Sequence, residues 1–143
     1  MTGALTIARH LTRLQVYLDQ LRQLQQHTRQ DLDDNWRVRA TVERTLQLSI
    51  EVVISVCEQL VSSLSLPIPD GSKETIVAVA KAKIISEELA NELTQAVGFR
   101  KVIVHQYLDI DYDTVFEVLQ TKLWTFEEFM KQVGAFLKTR IEP

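Results

Sequence analysis

Apolar residues recur along this chain at intervals of three and four, the rhythm of helices buried along one face. From about Thr6 to Gln30, Ile7, Leu11, Leu14, Leu18, Leu21 and then Gln25 advance by alternating four and three residues, forming a single seam. Arg9, Arg13, Arg22, Gln23 and Gln26 fall largely off that seam. The run Asp31-Leu32-Asp33-Asp34-Asn35 interrupts it, and its side-chain oxygens suit the free N–H groups of a helix first turn. A second helix is predicted from about Trp36 to Ser65. Leu46, Ile50, Val53, Cys57, Leu60 and Leu64 keep the seam there, while Leu48, Val52 and Val56 widen the apolar face. A face that broad predicts contact with more than one neighbour.

The stretch Pro67-Ile68-Pro69-Asp70-Gly71-Ser72 ends that helix, because Pro lacks an N–H and Asp-Gly favours a turn. A third helix is expected from about Lys73 to Lys83, with Ile76, Val79, Ala80 and Ile84 on its apolar side. Ser86 reads as the N-cap of a fourth, carrying Leu89, Leu93, Ala96, Val97, Phe99 and Ile103. Thr114-Val-Phe-Glu117 and Thr125-Phe-Glu-Glu128 both fit the S/T-x-x-E capping box, which predicts a short helix near 113–122 and a last one near 126–139. There is no internal repeat or low-complexity tract. The pattern implies an all-α fold: one domain over residues 1–143, an antiparallel up-and-down four-helix bundle with an additional short C-terminal helix.

Composition narrows the picture. Four Gly and three Pro among 143 residues are too few for the tight turns of an all-β domain. The single cysteine, Cys57, excludes an intramolecular disulfide and a cysteine-based metal cluster, fits a reducing cytoplasm, and is expected to be a packed core thiol. The N-terminus shows no apolar core of a secretory signal, and no stretch reads as a membrane span. A formal charge of −3 removes any broad basic field, so an RNA substrate would need a local site or a cleft assembled from two chains.

One segment departs from simple helix arithmetic: Gly98-Phe99-Arg100-Lys101-Val102-Ile103-Val104-His105-Gln106-Tyr107. Gly costs about 1 kcal/mol in a helix relative to Ala, so Gly98 hints at close approach of another backbone or chain. Arg100 and Tyr107 share a helix face, whereas His105 lies about 140° round from Arg100. Either the helix frays near His105 or a second copy completes the cluster across a two-fold axis. Histidine can move a proton near neutral pH, and arginine can hold a phosphate and the charge that grows on it. An equally simple reading of these residue types is that they cap carbonyls and cover apolar surface at a helix end. His10 and His27 read as solvated or capping residues, and Trp36 and Trp124 as core or interface anchors.

Arg100-Lys-Val-Ile-Val-His105-Gln-Tyr107 reads as R-x4-H-x-Y. With its flanks Val97-Gly98-Phe99 and Leu108-Asp109-Ile110-Asp111, and with Gln47-Leu48-Ser49-Ile50-Glu51, it resembles the HepT-like branch of the HEPN superfamily. That resemblance, which covers most of the chain, implies a homodimer through the motif helices, with a composite metal-independent RNase site and no cofactor. It implies Arg100 and His105 as catalytic residues, with Tyr107, Lys101 and Glu51 binding RNA or supporting the site. It implies an MntA-like minimal nucleotidyltransferase antitoxin that transfers AMP to Tyr107, blocking RNA by charge and bulk. Lys101 departs from the Asn or Asp that many HEPN nucleases carry after the motif arginine. It can contact phosphate but cannot accept a hydrogen bond. Two other classes stand beside this one: a non-catalytic subunit of a nucleotidyltransferase complex, and a dimeric helical adaptor.

Overall fold

The computed structural model describes the backbone at residues 2–105 and 110–141, and side chains at residues 3–101 and 110–140. The described residues form helices and no strand: α1 (Thr2–Leu24), α2 (Arg29–Asp34), α3 (Trp36–Ser63), α4 (Ser72–Lys81), α5 (Glu87–His105), α6 (Tyr112–Thr121) and α7 (Trp124–Ile141). The all-α class follows as the pattern predicted, with α1, α3, α5 and α7 as the long members.

The boundaries are set by local hydrogen bonds. The seam predicted to run to Gln30 stops at Leu24, because Gln26 and His27 turn tightly back onto the carbonyls of Gln23 and Leu24. Thr28 then restarts the chain with a reciprocal capping box: its hydroxyl accepts from Asp31 N–H, and Asp31 Oδ2 accepts from Thr28 N–H at 2.8 Å. Asn35 caps α3 by accepting from Arg37 and Val38 N–H, and the Ser86 hydroxyl accepts from Leu89 N–H to start α5, as expected. Gly71, at φ +120°, occupies a backbone region closed to most residues and lets the chain enter α4.

The two later capping boxes are corrected by the structure. Asp111 caps α6, accepting from Asp113 and Thr114 N–H, so Thr114 lies inside the helix. Thr125 also lies inside its helix, its hydroxyl donating to the Lys122 carbonyl at 2.7 Å. At α6 the Asp111 carboxylate starts the helix three residues before Thr114, and α7 already begins at Trp124, so neither threonine stands at a helix N-terminus. The terminal helix is also not the short one. The short helices α2, α4 and α6 stand between the long ones, and α7 packs along α1 and α5.

Helix α3 is the hub, in contact with α1, α2, α4 and α5 and more lightly with α6 and α7. Leu14, Leu18 and Leu21 of α1 meet Leu46, Ile50, Val53 and Leu60 of α3 in the core, with Phe126 and Phe129 closing it from α7. This breadth of contact explains its composition. By length and hydropathy (1.3 over its most apolar window) α3 would pass as a membrane span, but 56% of that window is buried inside the bundle. Cys57 is fully buried as expected, and burial pushes its thiol up to about 12. The tryptophans are not core residues: Trp36 is 64% exposed and Trp124 42% exposed. Trp36 opens α3 beside the Arg37 guanidinium, 5.4 Å from its ring centre.

Candidate functional site at the middle of the central helix

Arg100 and Lys101 sit near the C-terminal end of α5, Arg100 half-buried and Lys101 exposed. Among the described residues neither forms a hydrogen bond or ion pair. The α5 backbone stays helical through His105, so positions 100 and 105 stand about 140° apart round the axis. The His105 side chain and the whole of Tyr107 lie outside the described residues. A Cβ added at Gly98 would meet only the end of the Lys73 side chain, 3.6 Å away. Nothing among the described residues therefore requires glycine there.

The helix face that carries Arg100 is continuous with one wall of a recess of 210 Å³. Ala96, one turn before Arg100, and Phe99 form that wall, and Ile50 of α3 and Phe126 of α7 face them. Four of the polar residues at this recess, Glu92, Lys122, Thr114 and Thr125, have partners, while the exposed side chains of Gln95 and Glu117 have none among the described residues. Lys122 Nζ donates to Glu92 Oε2 at 3.0 Å, and Thr114 Oγ1 to Asp111 Oδ2 at 2.8 Å. The hydrogen bonds that Thr114 donates hold the Asp111 carboxyl below its usual range.

Ile50 places the middle of α3 beside the Arg100 end of α5. The next residue, Glu51, turns to the other flank. Its Oε1 accepts from Gln47 Nε2 at 3.1 Å, and no ion pair or hydrogen bond joins it to Arg100 among the described residues. Glu51 instead lines a groove between α3 and α1, together with Arg9, Arg13 and Tyr17. The sequence reading did not single out these α1 residues. The available signal was their spacing, since 9, 13 and 17 rise by four along one ridge beside the buried seam.

Beyond the segment 106–109, the chain is anchored where α6 begins. The Arg39 guanidinium lies 5.4 Å from the centre of the Tyr112 ring. Burial, and then the Glu43 carboxylate beside it, raise the Tyr112 hydroxyl above its ordinary value. Arg39 also donates to the carbonyls of Leu32 and Asp33, so one side chain ties α2, α3 and the start of α6 together. The motif segment thus runs from a helix packed on α3 to a helix clamped on α3.

Residues 14–133 match the HepT-like ribonuclease family. The chain belongs to that family. It is 28% identical over 131 residues to the tRNA nuclease HepT of Aphanizomenon flos-aquae, covering 90% of this chain and 89% of that one. It is 30% identical over 131 residues to the mRNA nuclease HepT of Shewanella oneidensis, with 91% and 92% covered. Among solved structures, the tri-AMPylated Shewanella oneidensis HEPN toxin in complex with its MNT antitoxin superposes with a TM-score of 0.84. That match has 23% identity and covers 90% of this chain and 96% of that one. The cytosolic protein YutE of Bacillus subtilis superposes with a TM-score of 0.83 at 18% identity, with 96% and 92% covered. The structural likenesses establish the HEPN fold. The family and the HepT relatives add the chemistry that this fold carries elsewhere.

Proposed function

We propose that this HepT-like protein is the toxin of a toxin–antitoxin pair, a metal-independent endoribonuclease of cellular RNA, either mRNA or tRNA, restrained by a minimal nucleotidyltransferase. The observation that carries the reading is an intact R-x4-H-x-Y sequence, its first residue near the end of α5, in a chain matched to the family over 14–133. In this reading His105 takes the proton of a ribose 2′-hydroxyl, whose oxygen attacks the adjacent phosphorus. The 5′-oxygen of the next nucleotide leaves with a proton, and the upstream fragment ends in a cyclic phosphate. Arg100 holds the phosphate and stabilises its added charge, helped by the second cation of Lys101. Neither Arg100 nor Lys101 is tied to a described carboxylate, which supports this assignment. Glu51 acts on the opposite flank of α3, at the groove.

Positions 100 and 105 diverge on one helix, which supports a homodimer whose motif helices meet and complete each site from two chains. The antitoxin, an MntA-like nucleotidyltransferase, transfers AMP from ATP to the Tyr107 oxygen, releasing pyrophosphate. The added phosphate and adenosine then occupy the RNA path. The names of the relatives and the toxin–antitoxin assembly of the Shewanella protein support this arrangement. The cytosolic YutE supports placing this chain in the cytoplasm.

The test is incubation of the purified protein and its His105→Ala variant with total cellular RNA in EDTA. Cleavage by the parent alone is expected. Absence of cleavage by a parent whose intact mass shows unmodified Tyr107 would overturn the reading in favour of a non-catalytic subunit of a nucleotidyltransferase complex.

A further inference from the structure

The groove between α1 and α3 carries polar groups that the fold itself does not use. It has a volume of about 390 Å³ and an apolar floor of Leu48 and Val52. Arg9 and Arg13 are exposed on its rim, and neither has an ion-pair or hydrogen-bond partner among the described residues. The hydroxyls of Tyr17 and Ser55, both half-buried there, also have none. His10 donates from Nδ1 to the Thr6 carbonyl at 2.9 Å, which leaves Nε2 available at the groove. Glu51 gives one oxygen to Gln47 and keeps the other.

We propose that this groove binds the backbone of single-stranded RNA and leads it past the middle of α3, an inference that rests on the RNase reading for its ligand. Arg9 and Arg13 stand one helical turn apart, about 6 Å along α1, which suits two successive phosphates of an extended strand. A guanidinium free of carboxylates offers its full donor fork to phosphate. The Tyr17 ring, beside the apolar floor, gives a base a face to stack on. Glu51 at first looks out of place in a phosphate groove. It is an acceptor, however, and the 2′-hydroxyl is the one donor that ribose offers and deoxyribose lacks. Two cations, an aromatic ring and one acceptor at the groove floor therefore select an RNA strand over a DNA strand. The same groups explain how a chain of net charge −3 holds a polyanion, since the attraction is local.

The experiment measures fluorescence anisotropy of a short labelled single-stranded RNA, and of the DNA of the same sequence, between about 50 and 200 mM salt. His105→Ala protein is used so that the RNA survives. Adding Arg9→Ala and Arg13→Ala is expected to weaken RNA binding at least tenfold at low salt. It should also reduce the slope of log affinity against log salt by about 1.4, two single-strand phosphate contacts. Arg9→Lys with Arg13→Lys should recover most of the slope, which separates charge from folding. Glu51→Ala, which removes the acceptor, is expected to narrow the preference for RNA over DNA.

Unchanged affinity and slope in the double alanine variant would overturn the proposal. So would unchanged RNA binding combined with lost association to the nucleotidyltransferase, which would make the groove a protein interface. Cleavage of total RNA by the unmutated protein is scored separately. If the parent does not cleave but the arginines still govern RNA binding, the RNase reading falls and the groove stands. If the parent cleaves and the arginines are silent, the groove falls alone.

Discussion

The two flanks of α3 at residues 50 and 51 differ in how completely their polar groups are satisfied. On the Ile50 flank, the recess against α5, α6 and α7 is walled by Phe99 and Phe126, and Glu92, Lys122, Thr114 and Thr125 have partners, with only the exposed Gln95 and Glu117 lacking one among the described residues. On the Glu51 flank, the groove against α1 holds two arginines and two hydroxyls without any among the described residues. A buried polar group left without a partner costs free energy, so packing surfaces evolve to satisfy theirs. Groups at a solvated groove can wait for a ligand. The first flank thus builds the protein and the second is free to serve it, although adjacent residues of one helix supply both.

The sharpest way to break this contrast is to mutate those adjacent residues. Ile50→Ala, at 2% exposure, should cost about 2–5 kcal/mol of stability through lost burial and a cavity. Glu51→Gln should stay within about 0.5 kcal/mol. Chemical denaturation of the two variants measures the difference, and equal costs would mean that Glu51 is structural. At the N-terminus of the same helix, Asn35→Ala removes the cap of Arg37 and Val38 N–H and should cost about 1 kcal/mol.

Lys122→Met breaks the pair with Glu92. Because Lys122 is 39% exposed and Glu92 26% exposed, solvent screening limits the loss to about 1 kcal/mol or less. RNA binding should not change. A drop in RNA affinity for Lys122→Met equal to that of the arginine variants would erase the distinction between the flanks.

Gly98→Ala tests where a second chain approaches. Nothing among the described residues crowds the position, so the isolated fold should gain about 0.5–1 kcal/mol. Analytical ultracentrifugation of the same variant should show weaker dimers if the motif helices meet there. A variant that is both more stable and equally dimeric would count against the proposed two-fold contact at this position.

Acid should act on the fold through the caps of α2 and α6. The Asp31 and Asp111 carboxyls are held below their usual range, Asp31 chiefly by the backbone N–H of Thr28 and Asp111 chiefly by the Thr114 hydroxyl. A folded-state value below the unfolded one means that both stabilise fully above the unfolded value, near pH 4. That contribution is lost as pH falls through the folded values. Thermal melting against pH should therefore show a decline beginning below about pH 4. Asp111→Asn, which keeps the cap oxygen, should flatten it. Cys57 gives the smallest effect. Its buried thiol, pushed up to about 12, should resist alkylation in the native protein at neutral pH and react only on unfolding.

Much of this was legible in the chain itself. The seam of Leu14, Leu18 and Leu21 and that of Leu46, Ile50, Val53 and Cys57 identified the buried faces, because burial follows helical period directly. Caps were legible at Ser86 and in the run 31–35, where Asn35 caps α3. Where Asp111 and Thr114 both stood near a helix start, the charged acceptor won, and the pattern could not rank them. Of the two roles expected for Trp36 and Trp124, their exposure removes the core one, because each stands where its helix begins. Arg100 was found as part of a sequence pattern. Arg9, Arg13 and Tyr17 share only a spacing of four along α1, which any solvated ridge can show, and their meaning comes from being placed against Glu51 by the pairing of α1 with α3.

The account rests most directly on a 2′-hydroxyl attacking its own phosphate under the control of Arg100 and His105. That chemistry leaves a signature in the product. Mass spectrometry of the RNA fragments formed in EDTA should show 2′,3′-cyclic phosphate on the upstream piece and a 5′-hydroxyl on the downstream piece, both absent with His105→Ala. Fragments ending in 3′-hydroxyl and 5′-phosphate, or the same fragments from the His105→Ala protein, would contradict it.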